Sequence, residues 1–158
     1  GWIPMPNLMS HHVRELWKKF EEGAASTGRK TDHSDLRLGR EVYVGETSES
    51  AREEARIVLG QPFNEHQWLN RKVGGNLAQV KLDPNMADEA VDVEYMMENV
   101  WIVGDPQECA EKIRRLYEDV DGFGHLLAIT QDPDDHQWQH ECLELLMEEV
   151  GPRISDLR

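Results

Sequence analysis

Gly122-Phe123-Gly124-His125-Leu126-Leu127 is the stretch of this sequence that decides the fold. Two glycines flank an aromatic residue, and an apolar segment follows that lasts until about Thr130. Glycine adopts backbone angles that other residues avoid, so Gly122, Phe123 and Gly124 indicate a tight entry into a strand rather than a catalytic element. The continuous apolar run after them is typical of a strand that is buried on both faces of a parallel sheet.

The segment before this strand predicts a helix that starts at a well-marked turn. Gly104 and Pro106 belong to that turn, and proline is favoured in the first turn of a helix. The helix is predicted from Gln107 to about Val120. An apolar segment over Val100–Val103 comes just before the turn and is a candidate for a short preceding strand.

A further strand is predicted over residues 36–44, where apolar and polar side chains alternate. The alternation gives this strand two chemically different faces. Ser10 is predicted to cap an earlier helix that reaches about Ala25, and Thr47 or Ser48 to cap the helix that follows the strand. The polar face of the strand consists of Arg37, Gly39, Glu41 and Tyr43.

Residues 60–92 do not follow either periodicity. Gly74-Gly75 and Asp83-Pro84-Asn85 break the segment, and its few large apolar residues are scattered. We therefore predict an irregular excursion at about 60–92. A long irregular segment in a compact domain often serves as a lid or a cover.

The order of the remaining elements predicts the fold class. Strands alternate with helices, and strands that are joined by crossover helices pair in parallel, which gives an α/β layer or barrel. A complete eight-unit barrel typically needs about 250 residues. The chain has 158 residues, so a barrel built from it would be incomplete.

Composition excludes two classes of partner. With 17 Lys+Arg against 31 Asp+Glu the formal net charge is -14, and such a surface repels nucleic-acid phosphates. No apolar run approaches the roughly 20 residues that span a bilayer, so no membrane partner is predicted. Cys109 and Cys142 form no C-x-x-C pair, which favours a cytoplasmic setting with both as small core or helix-face residues. A disulfide between them remains an alternative.

Several motifs occur in an order that resembles a known family. They are Ile102-Val-Gly-Asp-Pro-Gln107, Gly122–Leu127 and Val150-Gly-Pro-Arg153, with Leu36-Arg-Leu38 and Val44-Gly-Glu-Thr47 upstream. Together they resemble the C-terminal end of luciferase-like flavin-dependent monooxygenases, in the limonene monooxygenase-like branch. There a GTP or GDP turn opens the penultimate helix, GGFG precedes the final strand, and V-x-P-R closes the last helix. Each motif is weak alone, and their ordered spacing over nearly the whole chain carries the resemblance.

The resemblance implies a fold and an activity. Residues 1–158 would form one domain, the C-terminal part of a (β/α)8 TIM-type barrel with about its last two to three βα units. The family implies reduced FMN, supplied by a flavin reductase, with a deazaflavin as the second option. It implies transfer of one oxygen atom from O2 to an organic small-molecule substrate, in a site that orients the flavin and excludes water. Because much of the flavin contact in the family comes from earlier strands, an N-terminal half of the barrel or a homodimer partner is implied too.

The resemblance also suggests contacts to flavin or substrate, although no catalytic residue is identified. Arg37 and Tyr43 lie on one strand face, where the family has an Arg and commonly a His. The alternative for Arg37 is a structural pair with Glu41. Gln131 and Asp132 follow the final strand at its carboxyl end, the active-site end of such barrels.

Other interpretations remain open beside the enzyme. His136 and His140 are four residues apart on a predicted helix, but without a third ligand they do not predict a metal site. The chain could be a non-enzymatic half-barrel that self-associates through open strand edges or pairs with a separate N-terminal half. An unrelated small α/β binding domain is the third possibility.

Overall fold

Helices surround a short parallel sheet in this protein, seen in a computed structural model that describes residues 3–4, 6–131 and 136–157. The strands are β1 (Arg37–Val44), β2 (Ile102–Gly104) and β3 (His125–Ile129). The helices are α1 (Ser10–Ser26), α2 (Ser48–Val58), α3 (Gly60–Pro62), α4 (Trp68–Val73), α5 (Val93–Asn99), α6 (Pro106–Asp119), α7 (His136–Leu145) and α8 (Gly151–Arg153). Two π-helical turns, Phe63–Gln67 and Leu146–Val150, join α3 to α4 and α7 to α8.

The sheet confirms the predicted α/β class with parallel pairing. Its three strands are ordered β2-β1-β3, so β1 is the central strand and the consecutive strands β2 and β3 are not neighbours. β3 runs beside Arg37–Glu41, and β2 runs beside Val42–Val44. All β1 residues except Arg37 are buried, as expected for a strand that has neighbours and helices around it.

β3 is exposed, and the prediction of a strand buried on both faces is wrong for this chain. Leu127 is 42% exposed, His125 and Ala128 are also exposed, and Leu126 and Ile129 are only partly buried. The reason is that β3 pairs only with β1 among the described residues. The strand is therefore more apolar than its contacts within this chain require.

The segment 60–92 is more regular than its sequence predicted. The helical path of α2 continues through α3 and the π-helical turn into α4, and it ends at Gly74 and Gly75, where breakers were expected. Phe63 anchors this path, because its ring is fully buried and meets the Trp101 ring edge-on at 5.5 Å between centroids. With so few apolar anchors, the segment shows no helical periodicity in sequence. Only its second part, with two short 3-10 turns at Leu77–Val80 and Asp88–Ala90, is irregular.

The entry into β3 explains the glycines of the opening motif. Gly122 has a φ of +101°, which favours glycine. A Cβ on Gly124 would lie 1.9 Å from the backbone oxygen of Ser34, so no side chain fits there. The Gly124 N–H donates to the carbonyl of Leu36 at 2.9 Å, which ties the turn to the start of β1. These contacts agree with the fold-making role that the sequence indicated.

The core consists of two clusters of buried apolar residues. Cys109 and Cys142 are free and buried within the larger cluster, so of the predicted core or helix-face positions both take the core one, and they form no disulfide with each other. Among the described residues, no helix combines the length and the apolar character that crossing a membrane requires.

Candidate functional site

Side chains at the carboxyl end of β1 meet residues of α2 and α7. Tyr43 is 3% exposed, and its hydroxyl donates to the Glu54 carboxylate of α2 at 2.9 Å. Burial, and then the Glu54 carboxylate, raise the pKa of Tyr43 above its usual value. Tyr43 therefore keeps its proton at neutral pH and acts as a hydrogen-bond donor.

α7 is held against the same strand end by a thiol. The backbone N–H of Val44 donates to Sγ of Cys142 at 3.2 Å. Burial raises the pKa of the Cys142 thiol, so the thiol stays protonated. This contact fixes α7 over the end of β1, next to Tyr43.

A cleft of about 340 Å³ lies between α2, α7 and the end of β1, and we call it the carboxyl-end cleft. Four carboxylates line it, so it repels phosphate and other anions. No group of three or more potential metal ligands occurs in the part of the chain that the structure describes. The lining side chains include Tyr43, Glu46, Ser50, Glu54, Trp138, Glu141, Cys142, Glu144 and Leu145.

A second pocket, of about 410 Å³, lies against Glu41, and we call it the inner-face pocket; Asn7, Arg71 and Ile129 also line it. Glu41 is 5% exposed although it is charged. Asn7 pairs with it reciprocally, because its amide nitrogen donates to the Glu41 carboxylate and its Oδ1 accepts from the Glu41 N–H at 3.2 Å. A buried carboxylate is thus held in a fixed position.

Arg71 brings a cation from α4 to the same pocket. Burial lowers the pKa of its guanidinium and the nearby Glu41 raises it, but guanidinium groups remain charged in proteins. Its Nη1 is buried and has no hydrogen-bond partner among the residues described. Side-chain amides of Gln67, Asn70 and Asn76 line the pocket as well. The pocket therefore offers a cation and neutral donors to an oxygen acceptor.

The structure brings only part of the predicted site together. Tyr43 and Gln131 line one small cavity at the carboxyl ends of β1 and β3. Arg37 is exposed six residues earlier on β1, roughly 20 Å away at about 3.3 Å per residue. The alternative pair of Arg37 with Glu41 is not formed among the described residues: Arg37 is exposed, whereas Glu41 is 5% exposed and accepts from the Asn7 amide. Asp132 lies outside the described residues.

The sequence did not single out Asn7, Arg71 or Glu54 as site residues. Arg71 lies in a segment without periodicity, and Asn7 lies in a turn after Pro6, where its φ of 60° places it outside any helix or strand. Only Glu41 gave a signal, as a carboxylate on the polar face of the predicted strand.

Comparisons with known proteins agree on one family. Residues 1–121 match the family model described as luciferase-like monooxygenase. The chain is 28% identical over 147 residues to 3,6-diketocamphane 1,6-monooxygenase of Pseudomonas putida, covering 90% of this chain and 38% of that protein. It is 29% identical over 143 residues to limonene 1,2-monooxygenase of Rhodococcus erythropolis, covering 90% and 35% respectively. The chain thus spans well under half the length of these relatives.

Solved structures show the same architecture. The oxygenating constituent of 3,6-diketocamphane monooxygenase from Pseudomonas putida, a type II Baeyer-Villiger monooxygenase in complex with FMN, superimposes with a TM-score of 0.84 at 25% identity. That match covers 96% of this chain and 41% of the other. The coenzyme F420-dependent tetrahydromethanopterin reductase of Methanopyrus kandleri has a TM-score of 0.56 at 21% identity, which shows a shared fold alone.

Proposed function

The chain belongs to the luciferase-like monooxygenase family, and on that premise we propose that it is the C-terminal part of an FMN-dependent oxidoreductase. In this proposal it supplies the last strands of a (β/α)8 TIM-type barrel that transfers one oxygen atom from O2 to an organic substrate. The observation that carries the proposal is the TM-score of 0.84 with an FMN-bound monooxygenase over 96% of this chain. The other strands would come from an N-terminal half of the barrel or from a homodimer partner.

The inner-face pocket fits the polar edge of a flavin ring better than it fits the flavin phosphate. The buried Nη1 of Arg71 lacks a partner among the described residues, and carbonyl oxygens of a ring can accept from such a donor. Glu41 in the same pocket repels a phosphate, as do the four carboxylates of the carboxyl-end cleft. We therefore assign the phosphate contacts to the part of the barrel outside this chain.

Bound reduced FMN supplies the electrons with which O2 is activated. The residues of this chain would orient the ring and control its surroundings. Arg71 would stabilise negative charge that develops on an oxygen atom in the pocket, because a fixed cation in a partly buried site needs no reorganisation. Asn7 holds the Glu41 carboxylate in place, and Ile129 contributes apolar surface that helps to exclude water. Tyr43, with its raised pKa, would remain a neutral donor at the carboxyl end of β1.

FMN is preferred over a deazaflavin in this proposal. The TM-score is 0.84 with the FMN-bound monooxygenase and 0.56 with the coenzyme F420-dependent reductase. The deazaflavin alternative rests on the second, weaker similarity. A separate flavin reductase would supply the reduced cofactor.

A chimeric enzyme tests the proposal directly. The segment of the Pseudomonas putida 3,6-diketocamphane 1,6-monooxygenase that matches this chain is replaced by residues 1–158, and oxygenation with reduced FMN is measured. We expect the chimera to bind FMN and to retain oxygenase activity. Circular dichroism serves as the folding control, and a folded chimera that binds no FMN would contradict the proposal.

The exposure of β3 favours a second candidate function. With Leu127 at 42% exposure, this strand presents apolar surface and an open edge to a partner. The chain would then be a non-enzymatic half-barrel that self-associates. Self-association of the chain, together with a folded chimera that binds no FMN, would favour this alternative.

A further inference from the structure

The inner-face pocket holds a cation and a carboxylate that are not paired with each other. Arg71 and Glu41 both line it. Burial lowers the pKa of the Arg71 guanidinium, and Glu41 lies close enough to oppose that shift. No ion pair or hydrogen bond joins these two side chains within the described ranges. Both charged groups therefore remain available to a ligand.

Glu41 presents a fixed acceptor to the pocket. Its side chain lies on the face of β1 that carries Gly39 and Tyr43, because side chains alternate along a strand. Glu41 is 5% exposed, and the Asn7 amide donates to one of its carboxylate oxygens. An ionised carboxylate has about four acceptor sites and no donor, so this bond leaves acceptor capacity unused. The carboxylate therefore selects an N–H or O–H group of a ligand.

Arg71 presents an unused donor to the same pocket. Its Nη1 is buried and has no hydrogen-bond partner in the part of the chain that the structure describes. Gln67 lies four residues before it along the same helical path, so the two side chains share a face, and both line the pocket. A guanidinium donates and never accepts, so Arg71 selects an oxygen atom. Since Glu41 repels an anion, a neutral carbonyl oxygen fits here better than a phosphate or carboxylate oxygen.

An apolar wall beside these polar groups favours a flat ring as the ligand. A Cβ added to Gly39 would lie 3.0 Å from Cβ of Pro6 and 3.3 Å from Cδ1 of Ile129, so these two side chains close over the strand at Gly39. Both also line the pocket, whose volume is about 410 Å³. Pockets that bind small molecules typically measure about 300–1,000 Å³ and combine apolar walls with a few polar groups.

We propose that the inner-face pocket recognises the imide edge of the flavin ring, in which an N–H group stands between two carbonyl groups. Glu41 accepts from the imide N–H, and Arg71 donates to an adjacent carbonyl oxygen. This inference rests on the proposed function and adds Glu41 to it as the residue that determines specificity. A ring with a substituent on the imide nitrogen lacks the donor, and the buried carboxylate then loses a hydrogen bond that it makes to the unsubstituted ring.

The test compares two cofactors in the chimera of residues 1–158 with the Pseudomonas putida monooxygenase. One is FMN, and the other is FMN that carries a methyl group on its imide nitrogen; both dissociation constants are measured by flavin fluorescence. We expect the methylated cofactor to bind at least about tenfold more weakly, because it loses a hydrogen bond to a charged group. If the chimera does not fold, the same titrations use residues 1–158 mixed with the part of that monooxygenase that this chain does not match.

Variants of Glu41 separate the lost hydrogen bond from simple crowding by the methyl group. Glu41→Ala removes the acceptor and leaves room for the methyl group, so the two cofactors should bind about equally. Glu41→Gln keeps the size of the side chain, and Asn7 takes its single amide oxygen, so FMN should bind about tenfold more weakly. This variant decides the matter if the alanine variant does not fold.

Two further variants serve as controls. Arg71→Gln should weaken the binding of both cofactors by the same factor, because both keep their carbonyl groups. Glu53→Gln removes one carboxylate from the exposed surface of α2 and should leave both dissociation constants unchanged.

Equal binding of the two cofactors by the wild type, or a Glu41→Ala variant that keeps the wild-type preference, overturns this inference. Either result leaves the proposed function intact if the chimera binds FMN and oxygenates its substrate. If neither the chimera nor the mixed pieces bind FMN, the proposed function and this inference are both overturned.

Discussion

The space around a glycine determines whether replacing it with alanine destabilises or stabilises this fold. A Cβ on Gly124 would meet the backbone oxygen of Ser34 at 1.9 Å, and neither segment can move without breaking the turn into β3. We predict that Gly124→Ala lowers the free energy of unfolding by more than about 2 kcal/mol, a loss expected of backbone overpacking. Gly23 lies inside α1 with nothing within 4 Å of its Cβ position. Gly23→Ala should instead stabilise the protein by about 0.5–1 kcal/mol, and urea denaturation of both variants checks the contrast.

A buried thiol makes stability depend on alkaline pH. Burial raises the pKa of Cys109 to about 12, whereas an unfolded thiol has a pKa of about 8.5. As pH rises, the Cys109 thiol therefore ionises in the unfolded chain before it does in the folded one. The stability that the buried, protonated thiol contributes is complete below about pH 8.5 and is lost as pH rises towards 12. Between pH 7 and pH 10, the free energy of unfolding of the wild type should fall by roughly 1–2 kcal/mol more than that of Cys109→Ala. The measurement is urea denaturation of both proteins at pH 7 and at pH 10. If the free energy of unfolding falls equally in the two proteins, this role of Cys109 is ruled out.

At the residue scale, the sequence predicted what local geometry dictates. Gly122 and Gly124 were identifiable because two glycines around an aromatic residue, directly before an apolar run, are typical of a tight strand entry. Gln131 was placed at the carboxyl end of a strand and Tyr43 on a strand face that could contact flavin or substrate, and the two line one cavity. Arg71 was not predictable, because its contact with the Glu41 pocket depends on where the helices after β1 fold back.

At the element scale, Asp105 fixes the start of α6 and connects it to α2. Its carboxylate accepts from the Glu108 N–H at 2.9 Å and from the Ser48 hydroxyl at 2.9 Å. Glu108 in turn pairs with Arg52 of α2 at 2.5 Å. We predict that Asp105→Ala lowers the free energy of unfolding by about 1–2 kcal/mol, as the loss of a helix N-cap does. Asp105→Asn keeps a side-chain acceptor, so it should lower the free energy of unfolding much less. If thermal denaturation shows that both variants are destabilised equally, the capping role is refuted.

Elements with a strong local pattern were predictable, and those stabilised by distant contacts were not. The alternation over residues 36–44 predicted β1, and the turn at Pro106 predicted α6. The helical path through α3 and α4 was missed because Phe63 and its partner Trp101 are far apart in sequence. The apolar run of β3 correctly indicated a strand, but burial depends on neighbours that this chain does not supply among its described residues.

At the scale of the whole molecule, the open face of β3 should make the chain self-associate. Leu127, at 42% exposure, is the central apolar residue of that strand. We predict that light scattering of the wild type across a dilution series shows dimers or larger species, and that Leu127→Lys shifts them towards monomers. Val73→Lys is the control, because Val73 is 81% exposed on α4, away from the sheet edge. A wild type that stays monomeric throughout would contradict the role of β3.

The most direct test of the proposed barrel is an FMN titration of a barrel reconstituted from two pieces. The part of the Pseudomonas putida 3,6-diketocamphane 1,6-monooxygenase that this chain does not match is prepared separately, and FMN fluorescence is recorded with each piece alone and with both. We predict saturable quenching only when both are present, and weaker quenching when the chain carries Arg71→Gln. If the two pieces form a complex by light scattering but FMN fluorescence does not change, this chain does not complete a flavin site.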